Sequence, residues 1–394
     1  MQTFTFNAVT RIVFGNGSFA QLGDIAAEFG TRALVVSNAD RSGKRGLSAR
    51  LQETLAAKKV SPTICALDGE PTVADVDRCL HAARSANCDV VIGLGGGSAI
   101  DCAKAVAGLL TNGGGALDYM EVVGKGHKIT KPAAPWIAIP TTAGTGAEVT
   151  RNAVIGAPEH QFKASLRSEH LLARVALVDP ELQIHVSPEI TARSGMDALT
   201  QCIEAYTSKN ANPLTDPLAR DGIERAVFAL PRAYENGSDL LARSSMALSA
   251  LLSGVALTNA GLGAVHGFAA PMGARYPIPH GTVCAILLPY CTQANIEALQ
   301  KIDREHPVLL RYAQVSSFFA LGQPPGDLEQ SLEELIEDLH DLGRRLNIPR
   351  LREYGVKDDH ISDVVAAALK ANSMKSNPVA LSVEELTDVL RAAL

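Results

Sequence analysis

The chain has 394 residues, 46% hydrophobic and 20% charged, more than one hydrophobic core usually holds, so two domains are expected. A net charge of -6 leaves no basic surface for nucleic acid or anionic membrane. No uninterrupted apolar run reaches the roughly 18–20 residues that cross a bilayer. The start, Met1-Gln-Thr-Phe-Thr-Phe-Asn-Ala8, has neither the basic opening nor the apolar core of a signal peptide. Seven cysteines, odd in number and without a Cys-x-x-Cys pair, read as free thiols in a reducing compartment. The expectation is a cytoplasmic protein.

In chain order, apolar runs alternate with amphipathic stretches up to about residue 180. Strands are expected at Arg11–Phe14, Ala33–Ser37, Thr63–Leu67, Asp89–Leu94, Trp136–Ile139, Arg151–Ile155 and Val175–Val178. Helices are expected over 18–29, 45–58, 73–85 and 99–110. Continuous apolar strands separated by helices predict a mostly parallel sheet covered on both faces. After Pro180 the pattern turns helical. Ser187-Pro188-Glu189 opens a helix with Ser as N-cap and Pro at the first position. Leu328, Leu332, Leu335, Leu339, Leu342 and Leu346 form one stripe, too short for a coiled coil and suited to a core-facing bundle helix. The domain division is placed at 1–181 for an α/β domain and 182–394 for an all-α domain.

Two turns carry chemistry in the first part. Gly95-Gly-Gly-Ser98 joins a buried strand to a helix, and bare backbone at a helix N-terminus suits an anion. Ser98 and Asp101 have the spacing of a capping box. The run is not a clean G-x-G-x-x-G, and by itself it fits a tight structural turn as well. Pro140-Thr-Thr-Ala-Gly-Thr-Gly146 follows the next strand with three hydroxyls. Two such turns at the carboxyl ends of parallel strands suit a nucleotide crevice.

The second part holds His266 and His280 in an apolar segment rich in Gly and Pro, with almost no charge nearby. Either they are satisfied core histidines or they meet a metal or a substrate. Asp197 and Gln201 lie four apart and share a helix face. Asp197, Gln201 and Glu204 could face water; Asp197 beside two imidazoles would instead make a metal site with room for substrate.

Four stretches, Gly95–Lys104, Pro140–Glu148, Gly195–Gln201 and the His266–His280 segment, occur in the order and spacing of the iron-containing (group III) alcohol dehydrogenases, which the chain resembles over essentially its whole length. The resemblance implies the dehydroquinate synthase-like architecture: a dinucleotide-binding domain, a helical metal-bearing domain and an active site in the cleft between them. It implies hydride transfer between an alcohol or aldehyde substrate and NAD or NADP, aided by a divalent metal, iron or zinc, in a homodimer or larger homo-oligomer. Gly95, Gly96, Gly97 and Ser98 match the pyrophosphate loop; Asp101, Thr141, Thr142 and Thr145 match positions lining the cofactor; Lys163 matches a lysine near the nicotinamide ribose. Asp197, His266 and His280 match three metal ligands and are the expected catalytic set.

Two positions depart from the family pattern. Gln201 stands where the fourth ligand is a histidine, and a neutral amide oxygen is a weaker donor for iron or zinc. Ala270 stands where many members carry a histidine assigned to proton relay. Both favour an unusual aldehyde or ketone substrate. Arg151 and Arg275 read as structural ion-pair partners, with a substrate carboxylate as the alternative. Asn38 aligns with the acidic residue that binds the ribose hydroxyls, and Ser37 or Arg41 would accept a 2′-phosphate while Asp40 would oppose one, leaving NAD and NADP level.

Two readings compete with the metal-assisted dehydrogenase, a dehydroquinate synthase-like lyase and a non-catalytic nucleotide-binding protein, and a metal-independent reductase of the maleylacetate reductase type is a variant of the dehydrogenase reading. The lyase needs a Lys/Arg cluster for a phosphorylated substrate, and none lies beside His266 and His280 in the sequence.

Overall fold

The computed structural model describes all residues except 1–2, 8–9, 39–45, 121–122, 161 and 321–325. Asp40 and Arg41 therefore lie outside the described residues. The chain divides into two compact units: residues 7–142 with 146–186, and residues 187–394 with 1–6 and 143–145.

The first unit is built on a six-stranded sheet in which every pairing is parallel. Its strands are β1 (Arg11–Phe14), β2 (Arg32–Ser37), β3 (Ser61–Ala66), β4 (Val90–Gly95), β5 (Trp136–Pro140) and β8 (Val175–Val178), ordered β1-β8-β5-β4-β2-β3. Side chains alternate across it. Leu34, Val36, Val91, Trp136 and Ala138 enter one core, and Val35, Val90, Ile92, Ile137 and Ile139 enter the other. The helices are α1 (Leu22–Ala27), α2 (Leu47–Ala56), α3 (Val73–Ser85), α4 (Gly97–Asn112) and the one-turn α5 (Ala116–Tyr119). The expected helix over 18–29 is split, its first turn being 3-10 at Ser18–Gln21.

One strand is corrected. Arg151–Ile155 does not join the parallel sheet: β6 (Asn152–Ala157) pairs antiparallel with β7 (Phe162–Arg167) as a separate ribbon. The cause is patterning. In β6 Ala153 and Ile155 are buried while Val154 is exposed, whereas β5 is buried at every position. An alternating strand covers one face only, here against α4.

In the second unit α6 (Pro188–Thr207) is capped by Ser187, whose Oγ accepts from the Ile190 N–H at 3.3 Å. It runs through the core with α7 (Thr215–Glu235), α8 (Leu240–Ala260) and α10 (His280–Ile302) packed on it. Between them comes α9 (Ala264–Arg275), and then α11 (Pro307–Phe319), α12 (Leu328–Arg345), α13 (Ile361–Ala368) and α14 (Val383–Ala392). On α12 the stripe residues Leu332, Leu335, Leu339 and Leu342 are buried. Helix α8 is long and apolar enough by length and composition to cross a membrane, although Arg243 and its serines interrupt the apolar run. Its packing gives it a core role instead: Ser249 Oγ donates to the Gly222 carbonyl at 2.8 Å and Ser253 Oγ to Gln201 Oε1 at 2.6 Å.

Candidate functional site

In the first unit the register places Gly95 of β4 opposite Pro140 of β5, so both turns leave the sheet at one level. The Thr141 N–H donates to the Gly95 carbonyl at 2.9 Å, and Thr141 and Thr142 thus stand beside the glycines. Gly96 caps α4 without a side-chain hydrogen bond, and the helix starts at Gly97. Ser98 is therefore inside the first turn and not the cap, a correction to the capping-box reading. The chain has enough backbone freedom there to begin the helix two residues early. Asp101 reaches sideways: its carboxylate accepts from the Val154 N–H at 3.0 Å and faces Lys104 Nζ at 3.3 Å. Lys104 is fully buried and also donates to Thr150 Oγ1 at 2.9 Å and the Asn152 carbonyl at 2.6 Å. This cluster pins the β6–β7 ribbon to α4.

Asn38 follows β2, and its Oδ1 accepts from the Gly96 N–H at 3.1 Å. Lys163, on β7, pairs with Glu70. Thr145 groups with the second unit, and Thr141 and Thr142 with the first. Gly95 has φ +155°, and a Cβ there would stand 2.0 Å from Asn38 Oδ1 and 2.9 Å from Ala99 Cβ. Gly95→Ala is expected to cost about 1–3 kcal/mol in strain and to weaken NAD(P) binding by roughly tenfold or more, at about 1.4 kcal/mol per decade. Nucleotide titration followed by fluorescence checks this, with unchanged circular dichroism as the control for folding.

In the second unit Asp197, His266, His280 and Cys284 each offer one ligand atom, and these atoms all lie within 4.8 Å of one another. Asp197 Oδ1 is 3.3 Å from His266 Nε2 and 3.6 Å from His280 Nε2. Cys284 Sγ is 3.8 Å from both imidazole Nε2 atoms. The two histidines open consecutive helices: His266 is in the first turn of α9 and His280 is the first residue of α10. Gly281 lets α10 start against α6, since a Cβ there would lie 2.3 Å from the Arg193 carbonyl oxygen.

Glu204 supports the cluster. It lies two helical turns beyond Asp197 on α6 and is buried. One carboxylate oxygen accepts from the Val265 N–H at 2.8 Å, the other lies 2.5 Å from His266 Nδ1. A carboxylate oxygen facing Nδ1 can accept its proton, which would leave Nε2 to serve a cation at the cluster. Asn377 braces the same turn, accepting from the Ala264 N–H at 3.0 Å and donating to Asn295 Oδ1 at 2.6 Å.

The electrostatics favour a cation. Asp197 is 2% exposed, and its Oδ1 is buried with no hydrogen-bond partner. Burial pushes its carboxyl upward, but His280 and His266 hold it below the usual range. Burial works against charge on His266, yet Cys284, Glu204 and Asp197 raise it well above the ordinary imidazole value. His280, whose edge reaches solvent, is drawn by Cys284 and Asp197 up to about 9 against the same penalty. An orphaned carboxylate oxygen among imidazoles is what a divalent cation would satisfy, so the residues fit one.

Of the expected ligands, Asp197, His266 and His280 are brought together. Gln201 is buried on α6, and its amide oxygen accepts from Ser253. Ala270 is exposed on α9. Arg151 pairs with Glu169 at 3.5 Å and Arg275 with Asp363 at 3.0 Å, as structural ion pairs. Sequence reasoning missed Glu204 and Cys284. Both had a signal: Cys284 is four residues after His280 and Glu204 seven after Asp197, each on its neighbour's helix face.

The iron-containing alcohol dehydrogenase family model matches residues 9–180, and the C-terminal model of the Fe-containing alcohol dehydrogenase family matches 191–394. Alcohol dehydrogenase 4 of Saccharomyces cerevisiae is 35% identical over 383 residues, 96% of each chain. The 4-hydroxybutyrate dehydrogenase of Cupriavidus necator is 34% identical, covering 94% of this chain and 98% of its own. The crystal structure of a 1,3-propanediol oxidoreductase aligns over 100% of both chains with a TM-score of 0.91 and 31% identity. The chain belongs to the iron-containing alcohol dehydrogenase family. It is an oxidoreductase acting on CH–OH groups, with an NAD(P)-dependent alcohol dehydrogenase activity.

Proposed function

We propose that Asp197, His266 and His280 hold a divalent metal, iron or zinc, beside which a small alcohol or aldehyde exchanges hydride with NAD or NADP. The observation that carries this reading is the partnerless Asp197 Oδ1 among two imidazoles, one of which has Glu204 against its Nδ1. When bound, the metal supplies Lewis acidity toward the substrate oxygen. Asp197 offsets its charge, and Glu204 keeps His266 Nε2 free to donate.

The nucleotide reading assigns the pyrophosphate to the N–H groups of Gly97 and Ser98 at the start of α4, where the helix dipole favours an anion. Gly95 and Gly96 give the backbone clearance, and Thr141 and Thr142 supply hydroxyls from the neighbouring turn. Asp101, one turn into α4, and Lys163 and Thr145 are the remaining positions assigned to the cofactor, Asp101 being engaged with Lys104 and the Val154 N–H. Neutral Asn38 repels neither nucleotide, so turnover with both NAD and NADP is expected. The reading also carries a cytoplasmic homodimer or larger homo-oligomer, which light scattering on the purified protein tests.

The deciding assay follows nicotinamide absorbance with a panel of alcohols and aldehydes, after chelator treatment and after reloading with iron, zinc or manganese. Turnover that falls on stripping and returns with one metal is expected. Equal turnover in the stripped protein overturns the metal's role and favours the metal-independent reductase. No turnover with any metal or substrate overturns the reading as a whole.

A further inference from the structure

We propose that Cys284 Sγ is the fourth donor of the metal site, giving one carboxylate oxygen, two imidazole nitrogens and one thiolate where the family pattern has a histidine at position 201. The inference rests on the metal-assisted reading above and is tested apart from it.

Distances carry the argument. On a tetrahedron with metal–nitrogen and metal–oxygen bonds of about 2.1 Å and a metal–sulfur bond of about 2.3 Å, donors stand apart by about 3.4 Å for N···O and about 3.6 Å for S···N. The Asp197 Oδ1 separations from the two imidazoles are 3.3 and 3.6 Å, and those of Cys284 Sγ from the same nitrogens are both 3.8 Å. Sulfur is therefore at ligand spacing already. Helix geometry makes this durable, because Cys284 lies one turn after His280 on α10 and shares its face. Gln201 is engaged elsewhere, its amide oxygen held by Ser253 Oγ at 2.6 Å from the buried side of α8.

A thiolate changes which metal is held. Sulfur is a soft donor and favours zinc over ferrous iron more than a set of nitrogen and oxygen donors does. Binding through sulfur releases the thiol proton to solvent, with no change in oxidation state. The chain would then be a zinc-preferring member of a family named for iron.

The test is cobalt(II) loading of the full-length protein after chelator stripping, read by absorption spectroscopy on wild type, Cys284→Ser and Gln201→Ala. A sulfur-to-cobalt charge-transfer band in the near ultraviolet is expected for wild type and Gln201→Ala. Cys284→Ser should lose the band, and its zinc dissociation constant should rise at least about tenfold, the low end of what losing even an outer partner costs. Bound cobalt without that band in wild type, or a band that survives in Cys284→Ser, overturns the thiolate ligand while leaving the dehydrogenase reading intact. No cobalt uptake by wild type overturns both the ligand and the metal's role. Should the serine variant misfold, zinc-edge X-ray absorption on wild type decides: a sulfur scatterer at about 2.3 Å supports the proposal, and a shell of only nitrogen and oxygen ends it.

Discussion

Glu204→Ala is expected to lose metal-dependent turnover and to destabilise the helical unit by about 1–3 kcal/mol for each of the two buried N–H donors it leaves unpaired. The side chain closes two accounts at once: it satisfies the N–H at the start of α9 and the Nδ1 of His266. Glu204→Gln separates these roles. Its amide oxygen can still accept from Val265, but the amide nitrogen facing Nδ1 would move the imidazole proton to Nε2. Metal affinity should then fall by roughly 10- to 100-fold, as for other outer partners of metal-bound histidines, with a far smaller loss of stability. Urea unfolding and metal titration on both variants separate the two effects. Equal metal affinity in Glu204→Gln and wild type would show that the carboxylate does not set the tautomer.

A second large effect concerns Glu148, which is 3% exposed in the turn after Gly146. Burial raises its carboxyl from 4.5 to about 7, despite the neighbouring charge of Lys104. Because the folded value lies above the unfolded one, the folded state holds this proton more tightly. The stabilisation is fully present below pH 4.5 and is lost as pH rises through about 7. The change amounts to about 3 kcal/mol at about 1.4 kcal/mol per pH unit. Glu148→Gln should remove this slope and be more stable than wild type at pH 8 by up to about that amount. Chemical denaturation of the pair between pH 4.5 and 8 checks it. Parallel curves would mean that Glu148 does not carry the titration.

Much of the fold was readable because continuous apolar runs, such as Val90–Leu94 and Trp136–Ile139, have few stable places other than a parallel sheet covered on both sides. Gly95–Ser98 was readable as a turn for the same local reason. The ribbon β6–β7 was not, since a strand's own pattern does not name its partner. Asp197, His266 and His280 were legible through spacing and resemblance. Glu204 read equally well as a solvated helix residue, because the partners it meets, the Val265 N–H and His266, come from a helix some 61 residues further on. Cys284 was hidden by composition: a cysteine in an apolar run ordinarily packs as a small hydrophobe, and its place beside Asp197, His266 and His280 is set by the packing of three helices.

Asn377 ties the start of α9 to the far end of the helical unit. It accepts from the first turn of α9 and bonds Asn295, so the helix that presents His266 is anchored by residues far downstream. During synthesis, a chain that has emerged only through α10 already contains Asp197, His266, His280 and Cys284 but lacks that anchor. Closing so long a loop is slow, because its entropy is lost before the contacts reward it. If these residues hold a metal as proposed, its donors reach their finished geometry only once the C-terminal segment has docked on the first turn of α9.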